Sequence, residues 1–284
     1  MMQFETVSKE HEYMNSWRLI IHPPYDGAWN MAVDEAILES VSVRTQLPTL
    51  RLYDWAPYAL SLGHAQPVSD VDLASLKDHD WSLVRRPTGG RAILHADELT
   101  YSVCAPMDDP VLSGSVLESY QKISKALLSG LEHVGIQADS IQKKSEESNF
   151  VHDPVCFQFP SDYEITFKGK KLIGSAQARK KNGVLQHGAI PIFGEITRII
   201  EVLNFSDIES KIKAKDRLLM RATTINASLG KELSWFDLAD AICEGFSDKL
   251  EIEFNRDSLS VQELKRAAQI YQEKYANDSW TMRL

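Results

Sequence analysis

The sequence predicts an α/β (α+β) fold of mixed β-sheets flanked by helices, with a mainly helical C-terminal portion. Three observations predict it. Short apolar runs of β-type residues, bounded by polar or glycine-containing turns, recur through the first two thirds of the chain. Between them one segment, Val116 to Val134, carries apolar residues at helical spacing. Beyond about Thr197 the pattern turns to helical segments, two of them opened by serines suited to N-capping.

Taken in order, Trp17 to His22 reads as an opening strand and Asn30 to Ser40 as an amphipathic helix. Leu50 to Trp55, Tyr58 to Leu62, Trp81 to Arg85 and Leu99 to Val103 read as strands. Val116, Tyr120, Ile123, Leu127, Leu131 and Val134 form one stripe, which predicts core packing for that helix. The polar run Lys143 to Asn149 reads as an exposed loop, because strands resume directly after it. Tyr163 to Phe167 alternates as a strand, Lys168-Gly169-Lys170 is a hairpin turn, and Lys171 to Ala176 is the return strand. Ala189 to Phe193 is a further apolar run. Ile196 to Leu203, Ser234 to Leu250 and Ser260 to Tyr275 are helical in pattern, with Ser234 and Ser260 as N-caps. The expected organisation is a polar segment over 1–15, a body over 16–230, and a helical portion over 231–284 packed on that body.

A chain of 284 residues with 43% hydrophobic and 25% charged residues has the composition of a soluble globular protein. Met1 to Asn15 holds no apolar leader, and no run is long enough to span a bilayer, so the cytoplasm and no membrane partner are expected. Cys104, Cys156 and Cys243 have neither the pairing of a disulfide framework nor metal-ligand spacing, which fits a reducing compartment and no metal. With 31 Lys and Arg against 40 Asp and Glu, the net charge of −9 disfavours nucleic acid as a partner. The charge and the C-terminal helices are compatible with a monomer. Basic residues do cluster locally. Lys168, Lys170, Lys171, Arg179, Lys180 and Lys181 read equally as solvated surface or as a dock for an acidic protein, and Lys211, Lys213, Lys215 and Arg217 read as solvated surface.

The stretch richest in chemistry is Arg85-Arg86-Pro87-Thr88-Gly89-Gly90-Arg91-Ala92-Ile93-Leu94-His95, set between two strand-like runs. Paired glycines let the backbone reach positive φ and bring amide N–H groups close to a ligand. This is the floor of a narrow pocket with polar groups at one end. His95 reads equally as a general base or as a hydrogen-bonded pocket histidine, and His64 as structural or loop-forming. Cys156 stands just before the strand pair that carries Lys171. A thiolate is the reactive form of cysteine and a nearby cation favours it, although a small core hydrophobe is the usual fate of this residue. Cys104 and Cys243, within apolar patterns, read as core, and Trp280 as packing.

The motif Arg-Arg-x-Thr-Gly-Gly-x-Ala-x-x-His over 85–95 resembles the signature of the lipoate/octanoate ligase and octanoyltransferase family, which has the biotin/lipoate protein ligase fold. Asn30-Met31-Ala32-Val33-Asp34-Glu35-Ala36 resembles the first-helix motif of that family, and Arg51 to Trp55 and Leu60 to Gly63 resemble the strands that follow. Lys171-Leu172-Ile173-Gly174-Ser175-Ala176 resembles its lysine segment, so the likeness covers about residues 17 to 230 in the expected order. It is nearest to the octanoyltransferases whose nucleophilic cysteine lies in the loop before the lysine strand. The resemblance implies that Cys156 is the nucleophile and Lys171 its catalytic partner. It further implies that Arg86 orders the glycine turn, and that Gly89, Gly90, His95, Gly174, Ala176 and His187 bind the acyl substrate.

The implied activity is octanoyl transfer from an acyl carrier protein to a lysine of a lipoyl carrier, either a glycine-cleavage H protein or a lipoyl domain. No cofactor is implied. ATP and Mg would enter only if the chain were an ATP-dependent lipoate or octanoate ligase of the same fold, with Lys171 on the adenylate. The ligases resembled here commonly have a third glycine where this chain has Arg91. A carrier-to-carrier amidotransferase is a further alternative, and a fold relative that only binds acyl carriers is disfavoured by the intact site residues.

Overall fold

The computed structural model describes residues 15–141 and 164–284. Along the chain come β1 (Ser16–Ile21), α1 (Gly27–Ser42), β2 (Thr49–Tyr53), β3 (Ala59–Leu62), α2 (Leu73–Asp78), β4 (Ser82–Arg85), β5 (Ile93–His95) and β6 (Glu98–Pro106). Then follow α3 (Val116–His133), β7 (Asp139–Ile141), β8 (Glu164–Phe167), β9 (Lys170–Lys180), β10 (Gly183–Pro191) and a 3-10 segment, Ile196–Val202. The remainder is α4 (Ile208–Arg221), α5 (Ile225–Leu229), α6 (Trp235–Leu250), β11 (Glu253–Arg256), α7 (Val261–Ile270), a π-helical turn (Tyr271–Tyr275) and α8 (Asp278–Thr281).

Among the described residues the main sheet runs β11-β1-β2-β6-β10-β9-β8-β7, and a smaller sheet runs β4-β3-β5. β1 pairs in parallel with β11 and β2, while the strands from β2 to β7 are antiparallel to their neighbours. Side chains alternate between two cores, as strand geometry requires. Trp17, Leu50, Leu52, Tyr101, Val103 and Ile190 face one cluster with Ile123, Leu127 and Phe246 of α3 and α6. Ile20, Tyr53, Cys104 and Leu185 face the other, with α1 and Ala267 and Ile270 of α7.

Local rules explain the helix ends. Asp26 caps α1 by accepting from Trp29 N, and Ser115 forms a capping box with Glu118 at the start of α3. Ser234 and Ser260 are N-caps as expected, the second again with a capping box through Glu263. Glu263 also ties α7 to the sheet, because it takes two hydrogen bonds from Arg18 on β1, at 2.6 and 2.8 Å, with both side chains almost fully buried. The pair of α3 and α6 crosses at glycines. A Cβ on Gly245 would lie 2.2 Å from the Gly130 nitrogen, so the two backbones touch where only hydrogen fits.

Several sequence readings change in the structure. The C-terminal portion is not helical throughout, since Glu253–Arg256 adds a parallel edge strand beside β1. Lys211, Lys213, Lys215 and Arg217 belong to a helix, α4, where the sequence reads only as solvated charge. Val116, placed in the apolar stripe of α3, is 52% exposed, because it occupies the first turn beyond the contact with the sheet. Ile196–Val202 is helical but of the tighter 3-10 type. The Lys143 to Asn149 loop and Cys156 lie outside the described residues.

Candidate active site

The glycine turn links β4 to β5 across the end of the small sheet. Arg86 holds it from beneath: its guanidinium donates to Ser61 O at 2.9 Å, to Gly89 O at 2.8 Å and to Arg91 O at 2.8 Å. At 3% exposure this cation is held through its two terminal nitrogens by backbone carbonyls on both sides of the turn. Gly90 takes φ +95°, a conformation that favours glycine. Its carbonyl would stand 1.9 Å from a Cβ on Gly63, so the end of β3 and the turn approach without room for a side chain. A Cβ on Gly89, by contrast, would meet nothing within 4 Å. That side opens on a cleft of about 780 Å³ bounded by the turn, by His64 and Gln66 after β3, and by Gln177, Ala178 and Lys180 of β9.

The main sheet meets this turn through β10. Its register sets His187 opposite Ala176 on β9 and Ser102 on β6, and Ala189 opposite Gly174 and Thr100. Residues two apart share a face, so His187, Gly174 and Ala176 lie together on the side of the sheet that carries Arg51 and Tyr53. Gly174 and Ala176 put nothing larger than a methyl group on that face. His187 Nε2 lies 2.6 Å from Thr88 Oγ1, and its Nδ1 lies 3.7 Å from Asp34. Burial pushes the His187 pKa below the ordinary histidine value, and Asp34 only partly opposes this. The neutral ring, with its Nδ1 proton toward Asp34, can accept at Nε2 from the Thr88 hydroxyl.

Asp34 is the hub of a buried polar network that sequence reading missed. It accepts from Arg51 at 2.7 Å, from Tyr53 at 2.9 Å and from Ser102 at 2.8 Å. Burial opposes its charge, but Arg51 and His187 together hold its carboxyl below the usual range. Asn30, one helical turn before Asp34, accepts from the other Arg51 nitrogen at 2.6 Å. The available signal was the i, i+4 pair of Asn30 and Asp34 on the otherwise apolar face of α1.

His95 sits under the turn in a separate network. Its Nε2 is 2.8 Å from Ser61 Oγ, its Nδ1 is 2.7 Å from Glu98 Oε1, and Trp55 stacks on its ring at 3.9 Å. Both ring nitrogens are therefore engaged by the protein. His64, read as structural or loop-forming, donates its backbone N–H to Thr88 O at 2.8 Å, accepts from Arg283 at its carbonyl at 2.7 Å, and also borders the cleft.

Lys171 is 3% exposed, and its Nζ is 2.9 Å from Glu164 Oε1 on β8. Ile165 pairs with Ile173, but Thr166 pairs with Lys171, so the register shifts by one at this point. Such a bulge re-aims a side chain, and here it falls at the lysine. Lys171 also anchors the next segment, since its carbonyl accepts from Thr223 N at 3.0 Å. Lys168 and Lys170, its hairpin neighbours, are exposed.

Two of the three cysteines are poor thiolates. Burial pushes the Cys104 thiol well above its ordinary value, and that of Cys243 up to about 12. Their placement, buried in β6 and part-buried in α6, agrees with the packing role read from the sequence. Trp280 likewise packs, donating through Nε1 to Arg85 O at 2.8 Å. The structure thus gathers Arg86, Gly89, Gly90, Gly174, Ala176 and His187 around the junction of the two sheets. His95 lies behind the turn, and Lys171 lies farther along β9 beside Glu164.

Residues 26–247 match the lipoyl protein ligase A/B catalytic domain. The octanoyltransferase LipM of Carboxydothermus hydrogenoformans is 40% identical over 95% of this chain and 100% of its own length. That of Brevibacillus brevis is 38% identical with the same coverage. Among solved structures, an archaeal bipartite lipoate protein ligase from Thermoplasma acidophilum superposes with a TM-score of 0.79 at 25% identity, over 94% of this chain and 96% of that one. With the glycine turn, the lysine strand and the sheet order all in place, the chain belongs to the lipoyl protein ligase A/B catalytic domain family.

Proposed function

We propose that this chain is an octanoyltransferase of protein lipoylation that works through a thioester on Cys156. It is an acyltransferase enzyme, as are the full-length relatives that carry the octanoyltransferase name. The proposed donor is octanoyl-acyl carrier protein, and the acceptor is a lysine of a lipoyl carrier, either a glycine-cleavage H protein or a lipoyl domain. The observation that carries the reading is Lys171, a buried cation at 3% exposure on the strand whose small residues Gly174 and Ala176 pair with Ala189 and His187.

In the proposed course, the Cys156 thiolate attacks the donor thioester carbonyl and forms a new C–S bond. The donor's C–S bond breaks and its thiolate leaves. Exchange between thioesters is nearly balanced, so this step is reversible. The acceptor amine then attacks the acyl-cysteine, the C–N bond forms, and the Cys156 thiolate departs. Amide formation draws the sequence forward, and no ATP enters. The acceptor lysine has a free pKa of about 10.4 and must lose a proton, for which the buried Lys171–Glu164 pair on β9 and β8 is the proposed acceptor. Backbone N–H groups near Lys171 or in the glycine turn are suited to hold the developing oxyanion. Gly89 faces open space over the cleft, which suits passage of an alkyl chain.

The cytoplasm is the proposed setting. No described helix is long and apolar enough to cross a membrane.

Intact-mass measurement after mixing with octanoyl-acyl carrier protein, without ATP, tests the reading. One octanoyl adduct, absent in Cys156→Ala and chased by H protein, is the expected result. Transfer only from free octanoate or lipoate with ATP would make the chain a ligase. Loading only from an octanoylated H protein or lipoyl domain, and not from octanoyl-acyl carrier protein, would make it an amidotransferase.

A further inference from the structure

Two basic clusters that are far apart in sequence meet in the fold. The hairpin carrying Lys168 and Lys170 abuts the last turns of α4, where Lys170 Nζ donates to Leu219 O at 2.8 Å. α4 holds five basic residues (Lys211, Lys213, Lys215, Arg217, Arg221) against two acidic ones, in a chain whose net charge is −9. Lys213 pairs with Glu209 and Lys215 with Glu195, yet both lysines stay more than half exposed. The same helix exposes large apolar side chains: Ile208 at 79%, Ile212 at 55%, Leu219 at 46% and Met220 at 64%. Ile208, Ile212 and Leu219 follow helical spacing and make one strip, while Ala214 and Leu218 hold the helix to the body. An apolar strip set among cations is the pattern of a docking ridge rather than of a merely solvated face.

We propose that α4 and the 168–170 hairpin form the docking ridge for the acyl donor, an acidic carrier protein that bears its acyl group on a long flexible arm. This rests on the octanoyltransferase reading above. Position favours this occupant. The C-terminal end of α4 touches the reactive strand directly, through the pairing of Ala222 with Lys171. Ile212 lies ten residues before Ala222, about 15 Å along the helix axis. A partner seated on Ile208 and Ile212 reaches Lys171 only through an extended arm. An acceptor lysine, with its four-carbon stem, has to dock closer to the reacting atoms.

The test uses the full chain with two variants, Lys211→Glu/Lys215→Glu and Ile208→Gln/Ile212→Gln, all at exposed positions outside the catalytic machinery. Affinity for octanoyl-acyl carrier protein is titrated directly, and acyl loading is timed from that donor and from octanoyl-pantetheine. Each variant is expected to weaken carrier binding and loading by about tenfold or more at low salt, with pantetheine loading unchanged. Equal loading by wild type and variants from the carrier would overturn the ridge. So would a rise confined to the KM for H protein, which would assign the ridge to the acceptor. A change in oligomeric state or in binding to anionic vesicles, with carrier kinetics intact, would give it to a second copy or to a membrane. Wild type that binds the carrier but loads from neither thioester would sink the transferase reading alone, and weakened carrier binding by the variants would still support the ridge.

Discussion

His187 Nε2 and Thr88 Oγ1, 99 residues apart in sequence, stand 2.6 Å apart and fasten the glycine turn to the centre of the main sheet. Removing the hydroxyl tests this fastening. Thr88→Val keeps the shape but leaves the buried His187 nitrogen without that partner, at a cost of about 1–3 kcal/mol. Denaturant unfolding should show that loss, and octanoyl transfer should fall with it because the turn is no longer tied to His187 on β10. Wild-type stability in Thr88→Val would mean that the contact does not hold the turn.

Lys171 and Glu164 form a buried pair, so charge and catalysis can be separated. Lys171→Met removes the cation beside a carboxylate that is 4% exposed, which is expected to destabilise the fold by about 3–5 kcal/mol and to abolish transfer. Lys171→Arg keeps the charge and should recover most of the stability. Its turnover should still fall by about 10² or more, since a guanidinium stays protonated near neutral pH and cannot take up or release the proton. Full activity in Lys171→Arg would show that only the charge matters.

Close approach at Gly63 predicts a different asymmetry. Gly63→Ala drives a methyl against the Gly90 carbonyl, which would stand 1.9 Å away, and the turn must shift. Gly89→Ala meets no atom within 4 Å, although it narrows the cleft. Melting temperature should therefore drop in Gly63→Ala and hold in Gly89→Ala, while both lower the rate of octanoyl loading. Equal melting temperatures would contradict the packing of the turn on β3.

His22 supplies a pH prediction. Burial, reinforced by Arg51, lowers its pKa from 6.5 to about 4. Its Nδ1 accepts from Arg51 Nε at 2.9 Å, an arrangement that needs the neutral ring. A base with a depressed folded pKa contributes stability that is full above 6.5 and is lost as the pH falls toward 4. Asp54 acts in the opposite sense over part of this range, because burial raises its pKa to about 6 and its neutral form is favoured. The comparison with His22→Asn isolates the histidine: the variant should lose less stability than wild type between pH 6.5 and 4. An imidazole that titrates near 6.5 in the folded protein by NMR would refute the assignment.

Much of the architecture was legible in the sequence, for local reasons. Alternation in Leu50 to Trp55 and Leu99 to Val103, the spacing of Ile123, Leu127 and Leu131, and the serines at 234 and 260 are short-range signals. Each appears where expected. The turns at Gly169 and Gly90 were equally plain, because both glycines take the positive φ that favours this residue, whereas the positive φ of Lys168 was not written in its residue type. β11 was not legible: Glu253–Arg256 is polar and mostly exposed, and it becomes a strand only because β1 offers a free edge.

By itself the sequence determined the alternating strands and helices, the glycine turn, the family resemblance and the residues available for acyl chemistry. Tertiary structure decided which of them meet. It placed Thr88 on His187, gathered Asp34, Asn30 and Arg51 into one buried network, set Lys171 on Glu164 across a register shift, and joined the basic hairpin to α4. The physical reason is range. Propensity, capping and turn chemistry act over a few residues. Burial of a charge is tolerable only when a distant partner arrives to neutralise it, and the fold alone brings that partner.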